Sequence, residues 1–271
     1  MTLALRVPDV SIGASQPGGA AGLRWLRDAE LPAPCLAAEP MLVTASAGPL
    51  PLDCALAGLE RQSDLRVPAK FTLSRSGVCH LRAEVPDDGE RERCAADARA
   101  ALDSALTALA GDVGQRGRLA SPPAATRIGE VLEQLGWNGA QEESGGYQIH
   151  APSIGTAARL MAHPLHAGGV HVTASTLAIR TAGGHSARAL ALFALEANDR
   201  FRLARLTVSS ANDGVARARW DAVLLAAAVC ADGLATAVEA LLIARTETER
   251  ALRALAKAVV ADAYLEARDP N

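Results

Sequence analysis

Histidine is the residue type whose spacing first suggests chemistry: five of the six lie between positions 150 and 185, at His150, His163, His166, His171 and His185. Clustered imidazoles are common ligands for zinc and related ions, and the segment would then serve a metal-dependent enzyme. The spacing His163-x2-His166-x4-His171 fits no familiar ligand pattern, and no Asp or Glu occurs from Ser144 through Leu195 to complete a coordination sphere or orient a ring. Histidines on loops and strand surfaces account for the same pattern, so neither a metal nor a cofactor is expected. The acid-free stretch also carries Arg159, Arg180 and Arg188, fixed positive charges that could face an acidic peptide or simply be solvated.

Nucleophiles are no better arranged. The chain has no G-x-S-x-G elbow, and Cys79-His80 places its two side chains on opposite faces of a strand. Gly111, Gly114 and Gly117 precede no Lys-Ser/Thr pair, so they read as linker glycines and not as a phosphate loop. The acidic pairs Asp87-Asp88 and Glu142-Glu143 sit beside glycines in polar turn sequences. No catalytic residue is assigned, and a non-enzymatic protein is expected.

Composition narrows the remaining classes. Lys and Arg number 27 against 30 Asp and Glu, a net charge of −3, which gives no electrostatic drive toward nucleic acid. Of the 271 residues 49% are hydrophobic but only 3% aromatic, so a core must be built from Leu, Val, Ile and Ala. The uncharged apolar run from Ala222 to Ala231 is far shorter than the roughly 20 residues that span a bilayer. The N-terminus lacks the apolar region of a secretory signal, and five cysteines without a C-x-x-C pair read as buried free thiols in a reducing compartment. A cytoplasmic protein with no membrane partner follows as the expectation.

Behind these residues stand elements that recur. Lys70-Phe-Thr-Leu-Ser74 matches Arg205-Leu-Thr-Val-Ser209, and Gly77-Val78 matches Gly214-Val215 after a turn two residues longer in the second copy. Each copy reads as a β-hairpin. A helix is expected before each, over residues 52–62 and 185–197, and after each. The first closing helix carries the stripe Ala95, Ala98, Leu102, Leu106 and Leu109, and the second the stripe Val238, Leu241, Leu242, Leu252, Leu255 and Val259. Further upstream Met41-Leu-Val-Thr-Ala-Ser46 echoes Val170-His-Val-Thr-Ala-Ser175, and the helix-like residues 20–28 echo residues 128–135. Matches in one order argue for tandem duplication. The expected organisation is a tail over residues 1–19, a first unit over 20–110, a Gly- and Pro-rich linker over 111–124 and a second unit over 125–271, with an insert near residues 153–169.

The hairpins, the segment from Ala194 through Ser209, Gly214-Val-Ala-Arg-Ala-Arg219 and the helix through Arg253 resemble the type III secretion chaperone-like superfold, which includes class I secretion chaperones and YbjN-like proteins. The resemblance implies an α+β fold of two tandem chaperone-like units, each a twisted antiparallel sheet packed with helices in the order α-β-β-β-α-β-β-α. Together they would form a pseudo-dimer in one chain. The chain is about twice the usual unit length and lacks the strongly acidic balance of secretion chaperones. The function implied is holding a polypeptide segment, by a monomeric pseudo-dimer or a homodimer, on an apolar sheet face or groove. Phe71 and Leu73 share one strand face, as do Leu206 and Val208. With Trp220 they are the candidate peptide-binding residues unless the unit's own helices cover them. Trp25, Trp137 and Trp220 are the side chains best able to anchor an interface. The alternative is a structural or regulatory interaction module whose apolar faces only bury one another.

Overall fold

Alternation of side chains along the first hairpin yields two strands, and glycine closes the turn between them. Strand β2 (Ala69–Leu73) and strand β3 (Cys79–Pro86) are joined through Gly77 at φ 79°, and Gly214 takes φ 71° at the matching point of the second hairpin. A side chain at either position would be strained there. The computed structural model describes residues 42–268 apart from 48, 63, 87–88, 111–121, 144, 151–159, 166–167 and 211–213. The tail, the helix expected at residues 20–28, Trp25, Cys35, Asp87-Asp88, His166 and most of the linker lie outside the described residues.

The first half continues the pattern with β1 (Leu42–Ser46) and α1 (Leu52–Gln62) ahead of the hairpin and α2 (Arg91–Ala110) after it. The second half runs α3 (Pro122–Gln134), β4 (Asn138–Gln141), β5 (Tyr147–His150), β6 (Leu160–Pro164), β7 (Val170–Ala174), β8 (Leu177–Arg180), α4 (Gly184–Arg200), β9 (Arg205–Ser210), β10 (Val215–Leu224), α5 (Ala231–Leu255) and α6 (Ala258–Glu266). The fold is α+β, with six helices and wholly antiparallel sheets among the described residues. Helix α3 begins at Pro122-Pro123, two positions assigned above to the linker. Proline is tolerated in a first turn because its missing N–H breaks no intrahelical bond there.

The first sheet has the order β1-β3-β2. The second runs β4-β5-β6-β7-β10, with β9 on the far side of β10. In both sheets the second hairpin strand is therefore central, flanked by its hairpin partner and by the strand that precedes the middle helix. Strands β7 and β8 share one side of β10: Thr173 faces Asp221 and Leu177 faces Ala218. Between these pairs three residues oppose two, so a bulge at Ser175-Thr176 bends what would otherwise be one strand. The second half thus carries more strands before its middle helix than the expected pattern allows. The first half shows only β1 and an isolated bridge from Leu50 to Cys79 among the described residues.

One apolar core runs through both halves, from Ala55, Leu59 and Phe71 to Leu206, Trp220, Leu241 and Tyr264. Helix α4 packs on β2 of the other half as well as on its own β9, and α1 packs on β9 as well as on β2. The closing helices depart from their expected stripes. In α2 the buried residues are Cys94, Ala98, Ala101, Leu102 and Ala105, and Leu106 is 40% exposed. Small residues let this helix lie close to Val43, Ala45 and Val85, which leaves the longer Leu106 on a flank. In the second half α5 stops at Leu255, so Val259 falls on α6 and is exposed. The thiols also divide: Cys79 and Cys94 are buried, whereas Cys54 and Cys230 are exposed, with the Cys230 Sγ accepting from the Gly233 N–H at the start of α5.

Candidate functional site

Charged residues inside strands mark the junction of the halves. Lys70 on β2 and Arg205 on β9 occupy the matching positions of the two hairpins, and both are almost fully buried. A buried cation requires a partner, and each finds one on its own hairpin. The Lys70 Nζ lies 2.8 Å from the Glu84 carboxylate, and the Arg205 Nε donates to Asp221. Counting from Gly77-Val78 and Gly214-Val215, Glu84 and Asp221 are also matching positions. Burial alone would push both carboxyls up, but the neighbouring cations outweigh it and hold each below its ordinary value.

The remaining donors of each cation reach into the other half. Lys70 donates to the carbonyls of Phe201 and Ala204, in the loop that leads into β9. Arg205 donates to the carbonyls of Leu65 and Val67, in the loop that leads into β2, and of Ala69, the first residue of that strand, at 3.3, 2.9 and 3.1 Å. Both loops turn tightly, with Ala69 N–H donating to Val67 and Ala204 N–H to Arg202. Pro68 is central in the first turn. Leu203 is central in the second, at φ 59°, the one non-glycine residue with positive φ among the described residues. Its N–H donates to Glu84 across 2.9 Å, which offsets the strain of that conformation.

Two buried amides repeat the reciprocity. The Gln62 Oε1 accepts from the Phe71 N–H, and its Nε2 donates to Leu206 O and Thr207 Oγ1. The Asn198 Oδ1 accepts from the Leu206 N–H, and its Nδ2 donates to Leu206 O and Phe71 O. Each amide therefore holds the first hairpin strand of its own half and a carbonyl of the other. Strands β2 and β9, both at sheet edges, meet through side chains in place of a direct ladder.

The histidines separate. His163 and His171 are cross-strand partners on β6 and β7, His150 is exposed, and His185 lies 2.8 Å from Asp262 on α6. Arg66 donates to His171 Nδ1 at 2.8 Å. A guanidinium cannot accept, so the His171 proton sits on Nε2, which faces the Asp221 carboxylate 3.4 Å away. Burial lowers the His171 pKa and keeps the ring neutral. Among the described residues no three His, Cys, Asp or Glu side chains converge as metal ligands would.

Four of the five candidate peptide-binding residues are interior: Phe71, Leu206, Val208 and Trp220 are buried, and Leu73 is half-buried. Phe71 stacks under Gly58 of α1, and Trp220 donates through Nε1 to Thr248 of α5. Trp137 is buried too. The chain's own helices cover these faces. One groove that stays open at the seam, about 400 Å³ and mostly apolar, is lined by Val67, Ala100, Ala101 and Ser104 from the first half and Leu225, Ala226 and Ala227 from the second. Arg93 and Asp97, an ion pair on α2, also line it. The groove residues are small and widely separated in sequence, so no local pattern announces them. The buried ion pairs did leave a signal: charged residues at alternate strand positions, Lys70, Arg82 and Glu84 in one copy and Arg205, Arg219 and Asp221 in the other. No protein-family model, curated protein or solved structure matches the chain.

Proposed function

We propose that the chain is a covalent pseudo-dimer of two chaperone-like units that holds a polypeptide segment, without enzymatic activity, in the seam groove beside α2. The observation that carries this reading is the groove itself: its walls come from both halves, and it remains apolar at the surface after the sheet faces have been consumed by the core. The shared order of elements, the matching sheet orders and the reciprocal reach of Lys70 and Arg205 support the tandem reading. A cytoplasmic setting agrees with the absence, among the described residues, of any helix long and apolar enough to cross a membrane. Apolar contact would supply the affinity, and a strand edge such as β1 or β4, outermost among the described residues, could add register.

The burial of Phe71, Leu206, Val208 and Trp220 favours a second reading, an interaction module with no capture activity. Photo-crosslinking side chains placed at Ser104 and Ala227, with Glu266 as an exposed control, separate the two in the native cell. Capture predicts adducts from the first two positions that map to one short stretch of another polypeptide and are missing from the control. The same adduct pattern at all three positions would overturn capture.

A further inference from the structure

The two closing helices differ in one face. Aligning them on their shared buried positions pairs Cys94 with Leu234, Ala98 with Val238, Ala101 with Leu241 and Leu102 with Leu242. In that alignment Asp97, Ala100 and Ser104 of α2 fall opposite Ala237, Ala240 and Ala244 of α5. The α5 residues are all buried, whereas Ala100 and Ser104 are exposed and Asp97 is half-buried. The open α2 face is the wall of the seam groove. Helix α3, which buries Ile128, Val131 and Leu132, packs against α5 in the second half. Its counterpart in the internal repeat is residues 20–28.

We propose that residues 22–29 of the same chain are the resident occupant of the seam groove. On a helical wheel Gly22, Trp25, Leu26 and Ala29 fall on one side and Arg24, Arg27 and Asp28 on the other, an apolar stripe suited to a wall of alanines. The point of entry agrees. Leu42 pairs with Pro86, just ahead of the start of α2 at Arg91. The dozen residues between 29 and 42 span up to about 40 Å when extended, more than the length of α2, about 30 Å. This inference rests on reading the groove as a polypeptide site, and it names what fills that site when no partner is present.

The test uses the full-length purified chain with no partner added, so its failure leaves capture standing and the failure of capture leaves it standing. Cys35, Cys54 and Cys230 are changed to Ser. Leu26→Cys is then combined with Ala100→Cys or, as control, with Glu266→Cys. Under mild oxidation an intramolecular disulfide between positions 26 and 100, found by peptide mapping, should form at least tenfold faster than the control pair. Equal rates, or disulfide-linked dimers in place of the intramolecular bond, would overturn the proposal. In a separate chain carrying only Leu26→Asp, amide exchange of the α2 turn around Ala100 should accelerate severalfold, and unchanged exchange would also overturn it.

Discussion

A buried charge whose partner is removed is left without solvent, and this governs what single substitutions should do at the seam. Asp221→Asn leaves Arg205 buried beside a neutral group, which should cost about 3–5 kcal/mol by chemical denaturation. Asn198→Ala orphans the Leu206 N–H and should cost about 1–3 kcal/mol, and a double-mutant cycle with Gln62→Ala should show coupling because both amides hold Leu206 O. The pH dependence has a definite sign. His171 has a lowered pKa, so the unfolded chain takes up that proton first and stability falls as pH drops below about 6.5. Glu84 and Asp221 are also held low, so a second decline begins near pH 4, where unfolded carboxyls protonate. Denaturation midpoints measured from pH 8 to 3 should show both steps, and His171→Gln should shrink the first to what His163, also lowered by burial, contributes. The matching residues at 70 and 205 were legible as a repeat. Their ion pairing left its alternating charges as a local trace, but their reach across the seam left none, because partners 131 and 140 residues away do not show in local spacing.

At the scale of elements, close packing outweighs propensity. Gly58 lies in the middle of α1, where Ala would ordinarily stabilise a helix by roughly 0.5–1 kcal/mol. A Cβ there would stand 2.2 Å from the Phe71 ring. Gly58→Ala should therefore lower the thermal midpoint, overpacking costing about 1–3 kcal/mol against the smaller gain. Both hairpins and the helices over residues 52–62 and 185–197 could be read from periodicity and turn residues, since those signals are local. The phase of α2 could not, because alanine is accommodated on either face and the choice is made by Val43, Ala45 and Val85 on the sheet. The break between α5 and α6 was hidden for a similar reason: alanines continue across it, and the boundary shows instead in Ala182 N–H and Ser186 Oγ taking the Ala256 carbonyl.

Over the whole molecule, a core shared by two halves should unfold as one. Far-ultraviolet circular dichroism and tryptophan fluorescence should give coincident urea transitions, whereas two separate steps would mean that the seam adds little. The recurring order of elements was legible because it is written in sequence order; the depth to which the halves interlock was not, because it depends on loops facing each other in space. That interlocking bears on how the protein is made. A ribosome emits residues 65–69 long before it emits Arg205, which takes up three of their carbonyls. At about 5–20 residues per second the delay is about 7–30 s. Through that interval the nascent first half has no α4 to cover β2, and the strand is sealed only when α4 and β9 emerge.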